Sequence, residues 1–375
     1  MRSATKSLLS MSDDHLFFSD SFRDAQQRLR AAAARMGIYA RHYVHPLRGF
    51  QDEPLGTDVY VIGNPAARQI LVIESGTHGV EGYTGSAIQL ALFDRELPQL
   101  KSLDVTVMII HAFNPYGFSW RRRGDEQNVD VNRNFVDFAD ANATRNEMFD
   151  RIAPHLVPEQ WTEENVRAGD VALESLRQSH GADAVSRAMR RGQYSHPGSV
   201  FYGGHGPAWS RVTVERIARE YLLPADDILL LDVHTGLGSY GELQLLSIEP
   251  ATGSLFEGLR RFFGPRLRST ADPASGAANA TGNIFAGYAR CVPPERFLGI
   301  ALEFGTVDQA RIQRALRADA WAYLGDDDPA RATFREQSRH EMFEAFCPAD
   351  PAWRRLVVKE GVEVYRSALA RMESR

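Results

Sequence analysis

Six short apolar runs, at 58–62, 70–74, 104–110, 228–233, 243–248 and 298–303, constrain this chain more than any other feature. They are rich in Val, Ile and Leu, and several are continuous rather than alternating. A strand without a polar stripe must be covered on both faces, as in a sheet packed between layers of helices. Helical patterns lie between the runs, notably at 84–95 and 211–222. A further amphipathic helix is expected over 21–36, where Phe22, Ala25, Leu29 and Ala32 recur at helical spacing before Gly37 ends it. Strands alternating with helices predict an α/β fold: a mixed, mostly parallel twisted sheet with helices on both faces. Residues 140–225 are charged and poor in strand signals, and Gly181 and Gly192 read as helix stops. That stretch is expected to be a helical insertion on one side of the sheet. The tail, 330–375, is also expected to be helical, broken at Pro348 and Pro351. Residues 1–375 thus read as one domain with an elaboration.

Composition narrows the functional classes. The chain has 43 Lys and Arg against 48 Asp and Glu, a formal net charge of −5, which leaves no electrostatic footprint for nucleic acid or an anionic membrane. The Arg121–Arg123 run and Arg190-Arg191 are too isolated to form a basic patch. With two cysteines, Cys291 and Cys347, neither a disulfide framework nor a thiolate metal site is expected. A metal would have to be held by His and carboxylate. No stretch approaches the roughly 20 apolar residues of a membrane span, and no apolar run of signal-peptide length opens the chain. A cytoplasmic location is the expectation, and Met11 offers an alternative start.

Polar residues at the ends of the apolar runs carry the chemistry. The run Ile70–Glu74 leads through Ser75-Gly76-Thr77 into His78-Gly79-Val80-Glu81-Gly82. His78 and Glu81 therefore sit just past the carboxyl end of a buried strand, where open α/β sheets bind their ligands. The flanking glycines let the backbone bend tightly. His234 follows a second run, 226–233, and precedes Gly236 and Gly238. His78, Glu81 and His234 together make a His₂Glu set with an open fourth position, the ligand pattern of catalytic zinc. Glu303 closes a third run; it is either a salt-bridged residue or a general base. Arg121, Arg122, Arg123 and Arg133 suit carboxylate recognition or oxyanion stabilisation, or pair with nearby Asp125, Glu126 and Asp130. Asn114-Pro115-Tyr116-Gly117 is a turn signal. Asp232 points to the same side as His234 by strand alternation and is a candidate hydrogen-bond partner for it. His111 reads as a structural histidine, and Tyr202-Gly203-Gly204-His205-Gly206 as a turn that could line a pocket. Ser75, Ser86 and Ser239 lack a Gly-x-Ser-x-Gly setting, so a serine nucleophile is not expected.

In this order, His78-x-x-Glu81, Asn114-Pro115-Tyr116-Gly117-Phe118, Trp120-Arg121, Asp130-Val131-Asn132-Arg133-Asn134, His234 and Glu303 resemble the zinc carboxypeptidase family and its desuccinylase and aspartoacylase relatives, over about residues 55–310. The resemblance implies a single catalytic domain that binds one Zn²⁺ through His78, Glu81 and His234. It implies that Asp130 holds the ring of His78 and that Arg121 stabilises the oxyanion. Asn132 and Arg133 would bind a free substrate carboxylate, and Glu303 would act as base and then acid. The implied activity is hydrolysis of an amide beside a free carboxylate, in a peptide or in an N-acyl amino acid. A zinc-binding module without turnover is the alternative outside enzymology. Three departures stand out. Tyr116 replaces the family's Asp. Tyr288 and Tyr240 are candidates for a catalytic tyrosine, but neither lies at the familiar offset. The enlarged span between Glu81 and His234 could build a lid or a different pocket.

Overall fold

The computed structural model describes residues 11–100, 104–272, 280–323 and 328–374. The first ten residues, on which the choice of start bears, lie outside the described residues. Among the described residues, eight strands form one mixed sheet: β1 (Arg41–Arg48), β2 (Pro54–Gly63), β3 (Gln69–Ser75), β4 (Val105–His111), β5 (Asp227–Thr235), β6 (Leu243–Ser247), β7 (Leu267–Ser269) and β8 (Phe297–Phe304). Their order is β1-β2-β4-β3-β5-β8-β6-β7. The pairs β3/β4, β3/β5, β5/β8 and β6/β7 are parallel; β1/β2, β2/β4 and β6/β8 are antiparallel. The expected mixed, mostly parallel sheet is therefore present.

The continuous apolar runs are explained by two hydrophobic layers that share the same strands. Leu71 and Ile73 of β3, Val107 and Ile109 of β4, and Leu229, Leu231 and Val233 of β5 enter one core. Their alternating neighbours Ile70, Val72, Met108, Ile110, Ile228 and Leu230 enter the other. The first face is covered by α1 (Phe22–Arg35), α2 (Gly82–Arg95) and later helices of the chain. Ser21 caps α1 by accepting the Asp24 N–H at 3.1 Å, and Gly37, at φ +73°, follows its end.

Next come α3 (Pro115–Trp120), α4 (Ala141–Thr144), α5 (Glu147–Ile152), α6 (Glu163–His180), α7 (Ala182–Arg191) and α8 (Trp209–Ile217). The last group is α9 (Ser254–Phe263), α10 (Ile284–Tyr288), α11 (Gln309–Ala322), α12 (Pro329–Phe346) and α13 (Pro351–Glu373). Phe149, Ile152, Leu173 and Val185 from α5–α7 pack with Ile312, Leu316, Met342 and Phe346 from α11 and α12, forming a third core beside the sheet. Within the 140–225 stretch, α8 stands apart: Val214 and Ile217 pack under the sheet with Ile228 and Leu230. Two strands were not expected. β1 is a polar edge strand and β7 has three residues, so neither carries an apolar run. Asn114-Pro115 proves to be a helix start rather than a simple turn, because the Asn114 side chain accepts the Gly117 N–H with Pro115 at the first position of α3. Cys291 and Cys347 are free and buried. Among the described residues, no helix is long and apolar enough to cross a membrane.

Candidate metal centre

His78 leaves the carboxyl end of β3, Glu81 ends the short helical turn 79–81 that leads into α2, and His234 lies near the end of β5. All three are buried. The Nδ1 atoms of His78 and His234 face each other at 3.2 Å, and Glu81 offers Oε1 to His78 Nδ1 at 3.0 Å and Oε2 to His234 Nδ1 at 3.1 Å. The outer nitrogen of each ring faces a carboxylate: His234 Nε2 lies 2.6 Å from Asp232 Oδ2, and His78 Nε2 lies 3.3 Å from Asp130 Oδ1. His234 Nε2 is bonded to Asp232, whereas His78 Nε2, although close to Asp130, is a buried atom without a hydrogen-bond partner; with the ring protons on these outer nitrogens, three lone-pair donors converge on one point. Such a set repels itself unless a cation stands between. Tetrahedral ligands about 2.0–2.1 Å from zinc stand about 3.3 Å apart. The donor chemistry and the spacing both fit that ion.

Asp130 and Asp232, the two outer acids, are held differently. Asp130 accepts the Asn132 N–H at 3.1 Å and Arg123 Nε–H at 3.0 Å. Against the penalty of burial, the Arg123 and Arg133 cations hold its carboxyl well below the usual range. Asp232 is tied to Thr77, whose hydroxyl lies 2.8 Å from Asp232 Oδ1 and 3.2 Å from Glu74 Oε1. One hydroxyl hydrogen cannot serve both carboxyl groups. Burial and the adjacent Asp232 push Glu74 well above its ordinary value. Tyr288 donates its hydroxyl to Glu74 Oε2 and is itself buried. Tyr240 is 53% exposed and donates to Asp350. Neither tyrosine lines the cavity beside the site.

That cavity has a volume of about 560 Å³. His78, Glu81, His234, Glu303, Asn132 and Arg133 all line it, so the structure brings these six together. Glu303 pairs in register with His234 across β5 and β8. Its Oε2 is sealed from solvent without a hydrogen-bond partner, and low-dielectric surroundings, with Glu81 adding and His234 opposing, push its carboxyl up to about 8. Arg133 is buried and donates to the Arg190 and Asn132 carbonyls, each at 2.9 Å. Asn132 Oδ1 accepts the Ile284 N–H at 2.9 Å, which commits the oxygen and leaves the amide nitrogen for a ligand.

The arginine assignment changes. Arg121 closes α3 in the left-handed conformation (φ +55°), donates to the Asp20 carbonyl at 2.9 Å and stacks over Tyr83 and Phe343. It does not line the cavity. Arg122 turns inward to buried Asp319. Arg123 is the arginine that reaches the site, with Nη1 3.4 Å from Glu81 Oε1 and Nε on Asp130. The Arg122 and Arg123 carbonyls accept the Val80 and Gly79 N–H groups at 2.8 and 3.2 Å, which pins this segment to the ligand-bearing turn. Sequence reasoning held Arg123 among the candidate arginines but singled out Arg121, because the cap conformation at Arg121, which sets the facing of the next two side chains, leaves no mark in residue type. It missed Glu74, whose signal was available: like Glu303, it is a carboxylate closing an apolar run. The Tyr202–Gly206 turn is structural. Asn134 Nδ2 donates to the Gly203 and Gly206 carbonyls at 2.8 and 2.9 Å, and of this neighbourhood Phe201 lines the cavity.

The structure is similar to that of a carboxypeptidase A from Helicoverpa armigera, at 13% identity and TM-score 0.47, covering 97% of this chain and 77% of the other. Thrombin activatable fibrinolysis inhibitor aligns at 11% identity and TM-score 0.45, covering 95% and 77%. Murein-tripeptide amidase MpaA from Escherichia coli O157 aligns at 16% identity and TM-score 0.33, covering 77% and 93%. No curated protein matches the sequence. A family match spans residues 18–360, and the chain belongs to that family, described as Protein of unknown function (DUF2817).

Proposed function

We propose that this protein is a zinc-dependent hydrolase that cleaves an amide beside a free carboxylate. The observation that carries the reading is the convergence of His78, Glu81 and His234 on one point, in a cavity shared with the partnerless Oε2 of Glu303 and the buried cation of Arg133. A zinc ion held there would act as a Lewis acid and bring the pKa of water toward about 7. Arg133 and the Asn132 amide nitrogen hold the substrate carboxylate and so fix where the scissile bond lies. Arg123, oriented by Glu81 and Asp130, presents its guanidinium to the oxygen that gains charge. Glu303 takes the proton of the attacking water and returns it to the departing amine.

The cavity volume of about 560 Å³ falls in the range of small-molecule sites, and α6, α7 and α11 wall one side of it. This favours dipeptides and N-acyl amino acids over long peptides. The test is turnover of C-terminal dipeptides and N-acyl amino acids, with carboxyl-blocked amides as controls. Chelator-sensitive cleavage restricted to free carboxylates is expected. Cleavage that survives chelation, or equal cleavage of blocked amides, would overturn the reading.

A further inference from the structure

Two buried carboxyl groups stand behind the metal centre. Glu74 and Asp232 occupy paired positions on the neighbouring strands β3 and β5, and both are sealed from solvent. Asp232 is explained by His234, whose Nε2 lies 2.6 Å from its Oδ2. Glu74 touches neither ring of the site and does not line the cavity. Its side chain is held instead by two hydroxyls, those of Thr77 and Tyr288. Burying one carboxyl beside another costs free energy that an apolar residue at position 74 would avoid. Packing therefore does not account for Glu74.

The two hydroxyls make Glu74 the middle of a chain. Tyr288 donates to Glu74 Oε2, and Glu74 Oε1 lies 3.2 Å from the Thr77 hydroxyl. That hydroxyl lies 2.8 Å from Asp232 Oδ1, and Asp232 Oδ2 holds the ring of His234. Each carboxyl spends one oxygen on each neighbour, so the contacts run unbroken from α10 to a metal ligand. Tyr288, Glu74, Thr77 and Asp232 are all buried, and in such low-dielectric surroundings the placing of each group depends on the next. The far end is firm. Phe297 stacks on the Tyr288 ring, with centroids 5.6 Å apart and planes 16° from parallel, and the Ile284 N–H at the start of α10 is bonded to Asn132 Oδ1 at 2.9 Å.

We propose that Tyr288 is a positioning residue: acting through Glu74, Thr77 and Asp232, it fixes the His234 ring so that Nδ1 aims at the metal. The sequence offers Tyr288 as a candidate catalytic tyrosine; its place behind the sheet gives it this different task. The proposal rests on the metal-centre reading and not on the hydrolase reading.

The test is zinc affinity of the full chain, measured by competition with a chromophoric chelator, in Tyr288→Phe, Thr77→Val, Thr77→Ser and the double variant Tyr288→Phe/Thr77→Val. Thr77→Val is expected to weaken zinc binding by about 10- to 100-fold, as removal of an outer partner of a ligand does. Tyr288→Phe, two links further out, should weaken it less but in the same direction. Thr77→Ser keeps the hydroxyl and should bind zinc as the wild type does. Because both residues act along one chain, the double variant should lose little more than Thr77→Val alone. The visible spectrum of the cobalt-substituted chain should shift in Thr77→Val and Tyr288→Phe and not in Thr77→Ser. Wild-type zinc affinity in Tyr288→Phe, additive losses in the double variant, or equal losses in Thr77→Ser and Thr77→Val would overturn the proposal while leaving the metal centre in place. A wild type that binds no zinc defeats the metal-centre reading, and this proposal with it.

Discussion

Glu303 is the residue on which the proposed chemistry turns. Glu303→Gln is expected to keep zinc and fold while lowering kcat by about 10²- to 10⁴-fold; near-wild-type turnover of the zinc-loaded variant would exclude the base role. His111 tests the packing instead. Its Nδ1 faces Gln89 Oε1 at 3.2 Å, its buried Nε2 has no partner, and Phe22 stacks on its ring. Burial, opposed by Asp58 and reinforced by Arg30, lowers it to about 4. The unfolded chain therefore binds the extra proton between about pH 6.5 and 4, and stability is lost as the pH falls through that window, by up to roughly 3 kcal/mol. An NMR titration placing the His111 midpoint near 6.5 would contradict this. At this scale, what the sequence reveals depends on strand ends. His78, Glu81, His234 and Glu303 were legible because buried runs fix where their last residues face. Arg123 was not, because a single left-handed residue, Arg121, decides which of three successive arginines meets Glu81.

The element that matters most is the turn between β3 and α2. A Cβ on Gly79 would stand 2.0 Å from the Gly117 carbonyl carbon and 2.3 Å from its Cα, so backbone would have to move. Gly79→Ala is expected to lower zinc affinity at least about tenfold, with a loss of thermal stability; unchanged zinc affinity would show that the turn does not set the ligand geometry. The Asp130–Asn134 segment shows the same economy. Asp130 accepts from Arg123 and lies 3.3 Å from His78 Nε2, Asn132 caps Ile284, Arg133 reaches the Arg190 carbonyl, and Asn134 clamps the 203–206 turn. Buried strands were legible from their continuous apolar runs. β1 and β7 were hidden because an edge strand and a three-residue strand need little apolar surface. The helical character of 140–191 was legible from charge and glycine stops, but not which helices pack together. That depends on α11 and α12, which arrive more than a hundred residues later.

For the whole molecule, an ion held at this site would link distant parts of the chain: the segment after β3, the turn into α2, and β5 would supply its ligands, and β8 brings Glu303 beside them. Binding to the folded state alone should stabilise it by about 2.7 kcal/mol at a free zinc concentration one hundred times Kd. Melting by calorimetry should therefore shift upward by several degrees on adding zinc and return after chelation. An unchanged midpoint would mean that these donors do not hold the ion. The most direct measurement is zinc stoichiometry of the purified chain by elemental analysis, beside His78→Ala and His234→Ala. The metal-centre reading predicts one equivalent in the wild type and a large loss in both variants. A wild type that retains no divalent ion, or variants that retain a full equivalent, would contradict it.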